Sequence, residues 1–252
     1  MTVSAVVVSH GHAADVEALL PLLRPQVDEV VVVANVRGSV SGAAEGVRVL
    51  ANERPRGYAA NANRGIAETA GELVVVANPD TRPHRDAVGI LAEFAAARPR
   101  CGIAGPELRF SDGRWQPARR RFPTVGGTLV RRTPLRALFP PLERQRGYYL
   151  LDERPTEPAP AEWLIGAFLL LRREMVVELG GFDPGFRLYG EDIDLAYRAA
   201  KAGWERWYVP GAVVEHAWSR ASDRHFLSRR TLWHWRSIAR FVRKHPERLR
   251  AL

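Results

Sequence analysis

A doubly wound α/β domain, with a mostly parallel central sheet covered by helices on both faces, is the fold this sequence predicts, and three observations predict it. Residues 3–9 (VSAVVVS), 29–33 (EVVVV), 47–51 (VRVLA) and 73–77 (LVVVA) are continuous apolar, β-branched runs, the pattern of strands buried on both faces of a parallel sheet. Helical patterns at about 13–23, 59–70 and 85–97 alternate with them, which is the order of a parallel α/β fold. A chain of 252 residues with 46% hydrophobic and 26% charged side chains buries a sizeable core without disulfide or metal staples.

Each element follows from local chemistry. The N-terminus lacks a basic leader and a long apolar core, so it is expected to start the mature chain as a first strand and not as a signal peptide. The turn after it, Ser9-His10-Gly11-His12, has no G-x-G-x-x-G, and no G-x-x-x-x-G-K-[ST] occurs anywhere, which removes the main support for dinucleotide and P-loop readings. The segment 53–65 (ERPRGYAANANRG) places small residues on a helix beginning near Gly57. Small residues allow close approach of a ligand to the backbone, or tight helix–sheet packing. From Cys101 a short strand and a hairpin around Asp112-Gly113 are expected, and with them the parallel order ends. Residues 118–160 form a long loop region where a lid would sit.

Residues 163–171 (WLIGAFLLL) read as core, followed by a short helix at 174–179 and the turn GGFDP. A helix at 191–202 has Ile193, Ala196, Tyr197 and Ala200 as its apolar face, spaced i, i+3, i+4 and i+7. Strands are expected at 204–209 and 212–214, and a basic, Trp-bearing helix at 224–242. The division expected is one catalytic domain over 1–223, with halves at 1–105 and 106–223, and a tail at 224–252.

Cys101 is the single cysteine, so a disulfide scaffold and a multi-cysteine zinc cage are excluded, and the thiol count suits a reducing compartment. No apolar run approaches the roughly 20 residues that span a bilayer, and a cytoplasmic location is expected. Net charge is +9, and all but two of the 37 basic residues are arginines, whose bidentate fork suits phosphates and diphosphates. A nucleic-acid-binding module would explain the charge but not the acidic motifs and long parallel sheet.

Four groups of residues are candidates for chemistry. Asp80, in Asn78-Pro79-Asp80-Thr81, follows the carboxyl end of the fourth strand, where open α/β sheets bind ligands; the same residues also make an ordinary turn. Glu191 and Asp192 open a helix, where acids complement the dipole or where one of them serves as a general base. His216 ends a strand and is either structural or part of a mixed carboxylate–imidazole ligand set for Mg²⁺ or Mn²⁺. Tight packing explains the alanines near Gly57 but not Asn61, Asn63 and Arg64.

Taken in order and spacing, VVVS at the start, RPRGYAANANRGI, VVVANPDT, GPELRFSDG with RRRFPT, EWLIGAFLLLRRE, GGFDPGFRLYGEDIDLAYRAAKAGW and the late His216 resemble the family 2 glycosyltransferases of GT-A fold. They are most similar to the bacterial rhamnosyltransferase-type branch, over about residues 3–245. The resemblance implies inverting transfer from a nucleotide-diphosphate sugar, dTDP-rhamnose first, to a saccharide or lipid-linked saccharide acceptor in cell-surface polysaccharide or glycolipid synthesis. Asp80, last acid of the family's D-x-D element and here in N-x-D, is implied to bind Mg²⁺ or Mn²⁺ on the diphosphate, with His216 completing that site. Asp192 is implied as the base that deprotonates the acceptor hydroxyl, supported by Glu191. Ser9, Asn61, Asn63, Arg64 and Asn78 are placed near the nucleotide.

Two departures stand out. His10-Gly11 replaces the family's frequent Tyr-Asn, and Ala34 replaces an Asp that helps hold base or ribose, a role open to Asn35. A non-catalytic protein of this fold would explain Ala34 but leave Asp80, Glu191, Asp192 and His216 as coincidence. A sugar nucleotidylyltransferase would need a Gly-rich, Arg-bearing loop after strand one, which Ser9 to Asp15 does not supply. The tail interleaves Phe226, Leu227, Trp233, Trp235, Ile238, Phe241 and Val242 with Arg229, Arg230, Arg236, Arg240, Arg243 and Lys244. Such a helix either lies on an anionic membrane surface, which would make the protein peripheral at the inner face, or packs its apolar side on the catalytic domain. A homodimer interface is the further alternative.

Overall fold

Strand alternation decides the two faces of the sheet. In the computed structural model, which describes residues 1–37, 39–40, 45–122, 150, 153–217 and 229–247, β1 (Val3–Ser9) lies between β2 (Glu29–Ala34) and β4 (Leu73–Ala77), parallel to both. Ala5, Val7, Val30, Val32, Leu73 and Val75 point to one side, where they pack with Val16, Leu19 and Leu23 of α1 (Ala13–Leu23) and Leu91 of α3 (Ala87–Ala96). Val6, Val8, Val31, Val33, Val74 and Val76 point to the other, against Ala59, Ala62 and Ile66 of α2 (Tyr58–Ala67). This period-two division is what continuous valine runs produce when both faces are covered. Gly65 permits the contact on α2, because a Cβ there would overlap Val6.

β3 (Val47–Ala51) pairs with β2 at the edge and is half exposed, so the expectation of a two-face-buried strand is corrected here: an edge strand has a neighbour on one side alone. Beyond β4 the order continues through β11 (Phe168–Arg172), β6 (Cys101–Arg109) and β12 (Glu205–His216) to β5 (Thr81–Pro83). β11 is antiparallel to both β4 and β6, whereas β6 and β12 are parallel. Parallel order therefore resumes after Cys101 instead of ending there. The two strands expected at 204–214 are one, with a register irregularity between Val209 and Val213. The hairpin at Asp112-Gly113 joins β6 to β7 (Trp115–Gln116), with Gly113 at φ +80°. Two further short pairings, β8 (Arg119–Arg120) with β10 (Trp163–Leu164) and β9 (Ala159–Pro160) with β12, flank the expected long loop, whose residues 123–149 and 151–152 lie outside the described residues.

α4 (Arg173–Glu178) and α5 (Glu191–Lys201) follow on the α2 side of the sheet. Of the expected apolar face of α5, Ala196 is buried and Ile193, Tyr197 and Ala200 are half-buried; Asp194, Leu195 and Ala199 are buried as well, so the buried face is turned toward them. The buried carboxylate of Asp194 is compensated by Arg198 Nε at 2.7 Å, Lys244 Nζ at 2.9 Å and His245 Nε2 at 2.8 Å. α6 (Arg229–Lys244) packs by Phe241 and Ser237 against the domain; residues 218–228 lie outside the described residues. Among the described residues no helix is long and apolar enough to cross a membrane.

Candidate active site

Asp80 and His216 meet because of one short pairing. After β4, Thr81 donates to the Asn78 carbonyl through its amide (3.3 Å) and its hydroxyl (2.7 Å), closing a tight turn. β5 then runs antiparallel to the end of β12 with Thr81 opposite His216. The Ala217 amide donates to the Asp80 carbonyl at 3.0 Å, and His216 Nε2 stands 3.6 Å from Asp80 Oδ2. His216 Nδ1 is 3.1 Å from Gln116 Oε1; an amide oxygen there requires Nδ1–H and leaves the Nε2 lone pair facing Asp80. Burial pushes the imidazole below its ordinary pKa, against the pull of Asp80, so the ring is neutral and suited to coordination. Asn78 contributes its backbone to this turn, donating to the Ala167 carbonyl at 2.8 Å.

Glu191 and Asp192 occupy the first turn of α5, entered through Tyr189 and Gly190 at φ +67° and +88°. Asp192 Oδ2 accepts from the Gly166 amide at 3.1 Å, and Oδ1 from Ile193 at 2.9 Å. Gly166 makes the approach feasible, since a Cβ there would sit 3.2 Å from the carboxylate. Glu191 is buried and its Oε2 has no hydrogen-bond partner. Burial, then the neighbouring Asp192, push the Glu191 carboxyl up to about 8. Burial also raises Asp192, opposed by the amides of Gly166 and Ile193. Burial thus favours the neutral form of both carboxyls, and the Gly166 and Ile193 amides favour the charged form of Asp192. The Tyr58 hydroxyl, also buried and without a partner, is pushed far up by burial and then by Glu191, Asp192 and Asp80, so both acidic sites and this phenol share one region.

The expected nucleotide residues separate into two sets. Ser9, buried at the end of β1, accepts from the His12 amide at 3.4 Å and donates to the Ser39 carbonyl at 3.4 Å. Asn35 brackets Arg56, accepting from its amide at 2.7 Å and donating to its carbonyl at 2.9 Å. Asn52 donates both to Asn35 Oδ1 (2.8 Å) and to Asn61 Oδ1 (2.7 Å), making a buried amide chain at the carboxyl ends of β2 and β3. Arg64 reaches its edge through Asn52 Oδ1 and the Ala51 carbonyl. Asn63 is not brought to this group. Two residues along a helix are about 200° apart, and its amide is occupied by the Phe182 carbonyl at 2.7 Å and amide at 2.9 Å.

Sequence reasoning missed Asn52, Tyr58, Gln116 and His10, whose Nδ1 is 2.9 Å from Asn35 Nδ2. Tyr58 and His10 lay inside segments already singled out; Asn52 and Gln116 carried no signal of their own.

A central mixed parallel/antiparallel sheet flanked by helices is the architecture of a GT-A-like Rossmannoid domain. Residues 3–235 match the family described as glycosyltransferase like family 2, and the chain belongs to that family. It is 35% identical over 191 residues to N-acetylglucosaminyl-diphospho-decaprenol L-rhamnosyltransferase of Mycobacterium tuberculosis, covering 71% of this chain and 61% of that protein. It is 37% identical over 81 residues to the rhamnosyltransferase WbbL of Escherichia coli, 32% of this chain and 30% of that one. The chain thus spans about three fifths of the length of the first of these relatives and less of the second. In fold it is similar to mannosyltransferase PcManGT of Pyrobaculum calidifontis, solved with GDP-Man and Mn²⁺ (TM-score 0.62, 20% identity, 96% of this chain and 64% of that chain). GalNAc-T7, solved with UDP, GalNAc and Mn²⁺, has a TM-score of 0.61 at 18% identity, covering 87% of this chain and 45% of that chain.

The residues present fit a divalent cation. A part-exposed carboxylate facing a neutral imidazole supplies two hard or borderline donors, and Mg²⁺ or Mn²⁺ usually completes its shell with substrate oxygens and water. Among the described residues no third His, Cys, Asp or Glu joins them.

Proposed function

We propose that the chain is an inverting glycosyltransferase that moves L-rhamnose from dTDP-rhamnose to a hydroxyl of a lipid-linked saccharide, in cell-surface polysaccharide synthesis. The observation that carries the reading is the pairing of the part-exposed Asp80, 3.6 Å from His216, with the amide-held Asp192 at a helix start in the same region. Asp80 and His216 would hold the divalent cation, which when bound supplies counter-charge to the diphosphate. Asp192 takes the proton of the acceptor hydroxyl as its oxygen bonds to the anomeric carbon. The bond from that carbon to the diphosphate oxygen breaks in the same displacement, and the nucleoside diphosphate leaves. Glu191, kept protonated, spares Asp192 a second negative charge beside it. The amide chain of Asn35, Asn52 and Asn61, with Ser9 and the edge residue Arg64, shapes the nucleoside side.

The sugar and the lipid-linked acceptor are carried over from what the named rhamnosyltransferases act on. A cytoplasmic location at the inner membrane face goes with such an acceptor, and the exposed Arg236 and Arg243 of α6 are the residues that would meet anionic lipid. The test is a panel of nucleotide sugars with Mn²⁺, scored by thermal stabilisation, since a ligand that binds the folded state raises its stability. Stabilisation by dTDP-rhamnose above the other donors supports the reading, and stabilisation by no nucleotide sugar overturns it.

A further inference from the structure

The segment 181–190 has no regular secondary structure, yet it is held at almost every residue and delivers the chain directly to Glu191 and Asp192. α2 holds it from one side: Asn63 brackets Phe182, and the Tyr58 amide donates to the Arg187 carbonyl at 3.0 Å. α6 holds it from the other. Arg240 Nη2 meets both oxygens of Asp183, at 2.8 and 3.0 Å, with Nε at 3.3 Å, and Lys244 Nζ adds a contact at 2.8 Å. Ser237 Oγ donates to the Leu188 carbonyl at 3.1 Å, and the Arg187 guanidinium lies 4.9 Å over the Trp233 ring.

Gly185 is the seat of the Arg240 guanidinium, since a Cβ at that position would overlap it. The same helix end also reaches α5 itself, through Lys244 and His245 to Asp194, two residues beyond Asp192. Between these anchors Tyr189 stands at φ +67°, a left-handed conformation that persists in a bulky residue when its surroundings over-determine it.

We infer that α6 is a brace that sets the position of the Asp192 carboxylate, with Arg240 its main positioning residue, acting through Asp183 and the 183–190 strap; this rests on the reading of Asp192 as the base. With α6 removed, the strap loses the Asp183 ion pairs and the Leu188 hydrogen bond, and with them the support the helix gives the turn at Tyr189. The tail is therefore part of the catalytic unit, and Arg240 and Lys244 are committed inward to Asp183 and Asp194 instead of outward to a lipid surface.

The test uses the full chain and three substitutions: Arg240→Gln, Gly185→Ala, which unseats the guanidinium without altering it, and Ala239→Gln, on the exposed side of the same helix, as control. Hydrogen exchange of the 185–193 amides is expected to quicken about tenfold in the first two, as local opening becomes easier, and to stay at the wild-type rate in the third. Transfer assays are expected to show kcat down about tenfold with donor KM held, the split that marks a transition-state effect, and Arg240→Lys should recover part of the rate. Should Arg240→Gln fail to fold, Ser237→Ala removes one strap contact and leaves the ion pairs, and a smaller rise in the same amides is expected. Unchanged exchange in Arg240→Gln and Gly185→Ala overturns the brace, as does a fall in kcat equal to that of Ala239→Gln. Wild-type turnover in Asp192→Asn, with exchange still raised in Arg240→Gln, overturns the base assignment and with it the catalytic purpose of the brace.

Discussion

Asp80 and Asp192 stand in one region beside the sheet, and their surroundings differ in nearly every respect. Asp80 has a side chain 29% exposed and faces an imidazole at 3.6 Å. Asp192 is fixed by two backbone amides at a helix start, beside a buried carboxyl that keeps its proton up to about 8. Under the proposed function, the carboxylate left open opposite an imidazole would share a cation, and the one held by amides would accept a proton. Environment, not residue type or place at the sheet edge, is then what would divide the two roles.

The strongest way to break that contrast is Asp192→Asn. The amide oxygen still accepts from Gly166, so the fold and nucleotide binding are expected to persist. Transfer should fall by about 10²–10⁴-fold, the usual contribution of a general base. A turnover assay beside calorimetric nucleotide titration decides it, and wild-type turnover would return Asp192 to the role of a dipole-complementing acid.

Next in size is Asp80→Ala, which removes a donor from the open site and leaves the amide-held one untouched. Nucleoside-diphosphate binding in the presence of Mn²⁺ is expected to weaken by about 10–100-fold, and much less in EDTA, because the counter-charge on the diphosphate is what is lost. Full wild-type activity after exhaustive chelation would contradict the cation role and shift charge stabilisation to arginines such as those at 119–121.

Glu191→Gln sharpens the other half of the contrast through stability. A carboxyl whose folded pKa lies above its unfolded value contributes stability that is complete below about 4.5 and is lost as pH rises to about 8. Gln keeps the shape without that loss. The variant should match wild type near pH 4.5 and melt progressively higher than it toward pH 8, by about 5 °C for an effect on the order of 2 kcal/mol in a chain of this size. Parallel melting curves across that range would mean Glu191 ionises as freely in the fold as outside it.

How much of this was legible in the sequence follows from what each element buries. β1, β2 and β4 announced themselves because valine on both faces has no other economical explanation. β3 carried a similar run, but its edge position depends on what lies beyond it, which no local pattern records. β5 is three residues long, yet it alone sets Thr81 opposite His216, so the meeting of residues 80 and 216 was available through family resemblance and not through spacing. The face of α5 was misread because Asp194 looks polar in sequence, and its burial is made tolerable by Lys244 and His245, some fifty residues away. Asn61 and Asn63 were indistinguishable as letters. The helix turns one toward Asn52 and the other toward Phe182.

The smallest effect comes from adding a carboxylate apart from both acidic sites, at the end of β2. Ala34 ends β2, is buried, and its carbonyl accepts from the Asn52 amide at 3.0 Å. Ala34→Asp would place an acid beside the Asn35–Asn52–Asn61 chain, where His10 Nδ1 already stands 2.9 Å from Asn35 Nδ2. Its available chemistry is to accept hydrogen bonds from the N–H or O–H groups of a base or ribose. Tightening of nucleoside binding by about fivefold, roughly 1 kcal/mol for one added hydrogen bond, is the expected calorimetric result, with the melting temperature measured alongside to confirm that the folded chain is being titrated. Equal or weaker affinity in a folded variant would show that Asn35 and its partners already meet the nucleoside in an arrangement an acid cannot improve. In that case the neutral amide chain, and not a missing carboxylate, is the recognition device on that side of the sheet.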